Sequence, residues 1–169
     1  TCLQLLLEAG ANKNAADLEG HTPAHYAAMY CHHNCLQLLL EAGADMDRPD
    51  VRGSTPLHLA ASRTYHEGHA GQAGHAGERA RAIHKCLQLL LEAGANTDKA
   101  DHDGCTPLHL AAEEGSHRCL QLLLEAGASL QEVDRDGCTP LHLAAEWGSH
   151  RCVQLLLEAG ANIEEVDGI

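Results

Sequence analysis

The sequence predicts an all-α repeat solenoid: stacked helix–turn–helix units with β-turns or hairpins protruding between them. Three observations carry this. Thr22, Thr55, Thr106 and Thr139 each open the same phrase, TPAHYAA once and TPLHLAA three times, at spacings of 33, 51 and 33 residues. A second phrase, CLQLLLEAGA, starts at Cys2, Cys35, Cys86 and Cys119, and returns as CVQLLLEAGA at Cys152. Aromatic residues make up 2% of the 169-residue chain, with no Phe and one Trp. The apolar volume is therefore Leu and Ala, which suits thin layers of helices better than one large core.

The chain reads as one solenoid, 1–169. A partial leading unit (1–19) contributes a second helix over Cys2 to Ala9. Complete units follow at 20–52, 53–103, 104–136 and 137–169. In each unit the first helix starts at a threonine N-cap followed by proline, where no amide hydrogen is needed (Thr106–Pro107). Leu108, Ala111 and Ala112 then share one face. Gly115 and Gly148 stop this helix by entering the left-handed region. Cys31 stands at the same place, where a left-handed backbone would cost on the order of 1 kcal/mol; the alternative is a locally different turn. The second helix begins near His117. Cys119, Leu122, Leu123 and Ala126 line one face, Leu120 and Leu124 another, and only Gln121 and Glu125 form a polar stripe. Such a helix needs neighbours on most sides, and stacking supplies them. Gly127 ends it, and a polar turn with Asp134 and Gly137 reverses the chain.

The 51-residue spacing is 33 plus an insertion of 18, at about 64–81. The sequence around it, TYHEGHAGQAGHAGERARAI (64–83), predicts an extension of the first helix to about Glu67, a glycine-rich loop over Gly68 to Gly77, and an early start of the second helix at Glu78.

The 33-residue period, the phrase G-x-TPLHLAA, the two antiparallel helices and the protruding turn resemble the ankyrin repeat, over nearly the whole chain. The resemblance implies a protein–protein interaction module, an adaptor or recognition domain of a larger protein. It implies partner contact on the concave surface made by the turn tips and first helices. It also assigns the His of TPLH (His25, His58, His109, His142) to the hydrogen bonding of the loop. Neither end carries an obviously polar capping unit, so the chain is expected to be cut from a longer protein.

Within this frame most of the eight cysteines and 14 histidines are structural. Cys2, Cys35, Cys86, Cys119 and Cys152 share one helix position and read as small buried apolar residues. Cys105 and Cys138 share a turn position. Equivalent atoms in neighbouring units should lie roughly 8–10 Å apart, too far for disulfides. Unpaired thiols fit a reducing compartment, cytoplasm or nucleus. His33, His84, His117 and His150 share the turn before the second helix. The Asp at 17, 50, 101 and 134 reads as a turn former. No nucleophile–base pair, phosphate-binding loop or carboxylate dyad recurs, so neither an enzyme nor a cofactor is expected. The net charge of −13 excludes a phosphate-neutralising surface and a polybasic membrane patch. No apolar run reaches membrane-span length.

Partner specificity should lie in residues that vary while the frame holds. In the turns these are Leu18, Glu19 and His21; Val51, Arg52 and Ser54; His102, Asp103 and Cys105; Arg135, Asp136 and Cys138. At the helix ends they are Met29 and Tyr30; Ser62 and Arg63; Glu113 and Glu114; Glu146 and Trp147. Tyr30 and Trp147 share one frame position and read as exposed anchors. The acidic residues between them predict a basic or amphipathic partner segment bound by a monomer. A competing reading makes the chain a metal- or ligand-responsive module, with His66, His69, His75 and His32, aided by Cys31, around a zinc ion. The spacing H-x2-H-x5-H fits no common zinc signature.

Overall fold

The computed structural model describes residues 2–62 and 76–162. Among them are nine α-helices and no strand. The leading helix α1 is Cys2–Glu8. The first helices of the four complete units are α2 (Pro23–Met29), α4 (Pro56–Ala61), α6 (Pro107–Glu113) and α8 (Pro140–Glu146). The second helices are α3 (His33–Glu41), α5 (Ala76–Glu92), α7 (His117–Glu125) and α9 (His150–Glu158). First helices pack on first helices and second on second, unit after unit. One apolar core runs through the stack, with Ala24, Leu36, Leu57, Leu90, Leu108, Leu123 and Leu156 fully enclosed. On the outer face of each second helix a Gln donates to the Glu four residues on (Gln121 to Glu125, 2.9 Å), the expected polar stripe.

The helix starts explain why TPLH repeats as a block. His25, His58, His109 and His142 sit at the third helical position and take the part usually given to Glu in a capping box. The Nδ1 of His109 accepts the Thr106 backbone N–H at 3.2 Å. With Nδ1 an acceptor, Nε2 carries the hydrogen and donates to the Cys138 carbonyl of the next unit at 3.0 Å. His25 reaches the Ser54 carbonyl and His58 the Cys105 carbonyl in the same way, each at 3.1 Å. Each imidazole therefore caps its own helix, and those of His25, His58 and His109 also tie their unit to the next one.

At the end of α2, Cys31 has φ 57°, alone among the described non-glycine residues in the left-handed region. Gly115 and Gly148 occupy the same conformation, at 64° and 66°. Cys31→Gly is expected to stabilise the fold by about 0.5–1 kcal/mol, relief of the Cβ strain exceeding the lost packing of a half-buried thiol. Urea denaturation checks it; a lower midpoint for the variant would mean that the thiol contact outweighs the strain.

The insertion departs from expectation at its start. Helix α4 ends at Ala61, and Ser62 is extended at φ −86°, ψ 130°. The expected continuation to about Glu67 breaks there. In the fourth and fifth units a glycine closes this turn; the third unit has Thr64 at that place in the sequence, outside the described residues. Arg63 and the three insertion histidines, His66, His69 and His75, lie outside the described residues. The second helix begins at Ala76, slightly before Glu78, within the ordinary spread of helix ends. With 17 residues against nine in α7, α5 continues past its neighbours by Ala76–Ile83.

The cysteine frame position is not uniformly buried. Cys86, Cys119 and Cys152 are enclosed, Cys35 is half-buried and Cys2 is exposed. The departure lies at the leading end of the stack, on α1 and α3; Cys152, on the last helix, is as enclosed as Cys86.

Candidate functional site

The turn between consecutive units is built by one aspartate. Asp101 Oδ1 accepts the backbone N–H of Asp103 and of Cys105, each at 2.9 Å. Asp17, Asp50 and Asp134 repeat the pattern, which is the Asx-type turn their frame position predicts. Successive tips are joined by single backbone hydrogen bonds: Val51 N–H to Glu19 O at 3.0 Å, His102 to Arg52 at 2.8 Å, and Arg135 to Asp103 at 2.9 Å. His21 adds a side-chain link, with Nε2 3.3 Å from the buried Asp50 carboxylate. The tips thus form one rigid row beside the first helices.

This row presents most of the residues expected on it. Leu18 is 99% exposed, and Glu19, Val51, Arg52, His102, Asp103, Arg135 and Asp136 are exposed with it. Trp147, the C-cap of α8, is 61% exposed. Glu146 is exposed, while Glu113, Glu114 and His21 are half-buried. Met29, Ser62 and Ser54 are buried, so the expectation that they meet a partner is corrected. Met29 is an apolar residue at a helix end facing the next layer, and Ser62 sits where the chain turns away from α4.

The acidic residues of the fourth and fifth units are close neighbours. The Glu113 carboxyl is pushed above the usual range by partial burial and by Glu114, Glu146 and Asp134. Burial pushes the Cys105 thiol up to about 12, with Asp101, Asp134, Glu113 and Asp103 adding to it, and raises that of Cys138 in the same acidic setting. These thiols are neutral at pH 7, a poor state for nucleophilic or metal-binding work. Arg135 offsets part of the charge, 3.4 Å from Asp103.

At the other end of the row the structure shows a feature that sequence reasoning missed. Tyr26 and Tyr30, one turn apart on α2, lie with ring planes within 6° and centroids 6.2 Å apart, and both are 41% exposed. The Tyr26 hydroxyl donates to Asp17 Oδ2 at 2.6 Å. Tyr30 is therefore one member of a ring cluster, not a solitary anchor. The signal was available: Tyr26 stands where the other units have Leu59, Leu110 and Leu143.

Of the residues weighed for zinc, His32 and Cys31 are described. His32 is exposed, with its ring 6.2 Å from that of Tyr30. Burial pushes the Cys31 thiol up to about 11 despite the nearby Arg79. Among the described residues no three His, Cys, Asp or Glu side chains gather in a metal-binding group, and no helix is long and apolar enough to cross a membrane.

A family model described as "Ankyrin repeats (3 copies)" matches residues 1–69 and 78–167, and one described as "Ankyrin repeat" matches residues 52–102. No curated protein matches the chain.

Proposed function

The chain belongs to the ankyrin repeat family, whose members are generally protein–protein interaction modules, and on that premise we propose that it binds a basic or amphipathic segment of a partner protein. The segment lies along the concave face made by the turn tips and first helices. The supporting observation is the juxtaposition of Trp147, 61% exposed, with the mutually repelling carboxylates Glu113, Glu114 and Glu146. A large aromatic held open beside like charges stabilises the fold little, and such a residue is a favoured interface anchor. In this reading the chain acts without catalysis or cofactor, as a monomeric adaptor. The same reading puts it in a reducing compartment, cytoplasm or nucleus, which its eight unpaired cysteines would suit.

Panning a random peptide library against the chain tests the reading. Selected peptides are expected to be rich in Lys and Arg around an apolar anchor. They should bind about tenfold or more weakly to Trp147→Ala and to Glu113→Lys/Glu114→Lys. Acidic selected peptides, or peptides that bind both variants as well as the parent, would overturn it.

A further inference from the structure

A line of touching rings crosses the first helix of the first complete unit. His21 packs against His25 at 5.7 Å and against Tyr26 at 5.5 Å. Tyr26 neighbours Tyr30, and Tyr30 neighbours His32, each at 6.2 Å. The two tyrosines are the exposed centre of the line. The fold does not require them: Leu59 and Leu143 fill the Tyr26 position buried, and Glu114 fills the Tyr30 position. Replacing a buried leucine by a half-exposed tyrosine gives up apolar burial in exchange for an open π face.

That face lies in a negative field. The Asp17 carboxyl is held below the usual carboxylate range, chiefly by the Tyr26 hydroxyl, so it is ionised at neutral pH. The Asp17 carboxylate is at the edge of that ring, its Oδ2 accepting the Tyr26 hydroxyl at 2.6 Å, and Glu19, two residues on and exposed, adds to the field that raises the Tyr26 phenol, after Asp17 and burial. A phenol that donates to a carboxylate is also a more electron-rich ring, and a better partner for a cation. A parallel ring pair edged by carboxylates is complementary to a planar cation. A guanidinium can lie flat on the rings and direct N–H groups at the carboxylates, whereas an ammonium is a compact, strongly hydrated point charge.

We propose that the Tyr26–Tyr30 pair, with Asp17 and Glu19, is the seat for an arginine side chain of the bound segment. The proposal rests on the partner-binding reading above and adds to it a second contact, three units away from Trp147. It makes the face bipartite, with a stacked guanidinium at the second unit and further basic or apolar groups at the fourth and fifth.

The test uses a probe that needs no partner. The chain is titrated with N-acetyl-arginine methylamide while the ring protons of Tyr26 and Tyr30 are followed by NMR. Both rings are expected to shift, with the lysine analogue about threefold or more weaker and the leucine analogue inert. In Tyr26→Leu/Tyr30→Glu, which installs the residues of the fourth unit and should fold, the backbone amides of Asp17 and Glu19 are followed in both variant and parent; their arginine response should fall about fivefold or more. Trp147→Ala should leave the titration unchanged. Equal responses to arginine and leucine, equal responses to arginine and lysine, or an arginine response that survives the double substitution would overturn the proposal. If peptides selected on the chain still depend on Trp147 and Glu113, only the arginine seat falls and the partner-binding reading stands. If they depend on neither, that reading falls by itself.

Discussion

Gly104→Ala is expected to destabilise the array by about 3 kcal/mol and to uncouple its last unit. Gly104 closes the turn at the start of the fourth unit with φ +79°, a region where a side chain costs on the order of 1–2 kcal/mol. A Cβ there would also lie 2.9 Å from the Arg135 nitrogen and 3.0 Å from the Asp134 carbonyl carbon. These are backbone atoms and cannot rotate aside. The tips would have to separate, breaking the Arg135 to Asp103 hydrogen bond between the tip that leads into α6 and the tip that leads into α8, the first helices of the fourth and fifth units. Gly127→Ala isolates the conformational part. Its φ is +87° and nothing lies within 4 Å of its Cβ position, so about 1–2 kcal/mol is expected. Stacked repeats are coupled only to their neighbours, so a weakened junction shows as lost cooperativity. Trp147, the single tryptophan, sits in the fifth unit and reports that unit alone. In urea its fluorescence transition should precede the circular dichroism transition in Gly104→Ala and coincide with it in the parent and in Gly127→Ala. Equal losses for the two variants, with coincident transitions in both, would show that the close approach of the tips is not what limits this position.

How far the sequence reveals this molecule depends on whether a residue's surroundings are set within its own unit or by the next one. The Asp101 turn and the Thr–Pro helix start are local, and spacing alone identifies them; for Cys31 spacing narrows the backbone to a left-handed residue or a different turn, and φ 57° decides it. The direction of the Tyr26 side chain and the burial of Met29 and Ser62 are decided by what the adjacent layer leaves open. Variation within a fixed frame was a fair guide to exposure at Leu18, Asp103 and Trp147, which sit at tips or caps. It failed at Met29, an apolar residue buried at the end of α2, and at Ser62, buried where α4 ends. Tyr26 was overlooked because the frame residue there is leucine, and a tyrosine at a leucine position reads as core until its hydroxyl is seen to reach Asp17. The histidines of TPLH lie between these cases: the cap they form is local, but their second hydrogen bond is to the next unit.

That second bond makes the stack sensitive to acid. Burial holds the imidazoles of His25, His58 and His109 below their ordinary range, more than offsetting the carbonyl acceptors and nearby aspartates that pull the other way. Each is neutral in the folded chain, because Nδ1 must accept the threonine N–H. In the unfolded chain they titrate near the ordinary value of about 6.5. Above that pH neither state binds the protons and stability is independent of them. As pH falls through 6.5 the unfolded state takes up protons that the folded state refuses, so stability is lost until the folded values are reached. Each histidine contributes a slope of up to about 1.4 kcal/mol per pH unit, and the three together up to about 4. Most carboxylates titrate lower, so this window belongs mainly to the buried three. Urea midpoints should be equal at pH 8 and 7.2 and fall steeply between pH 6.5 and 5. His109→Gln keeps an acceptor at the third helical position, as a capping box allows, but cannot titrate or reach the next unit identically. It is expected to be less stable at pH 8 and to lose about one third of the slope below 6.5. A parent midpoint unchanged between pH 7.2 and 5 would mean that these imidazoles accept protons in place, and that the tie between units does not depend on the neutral ring.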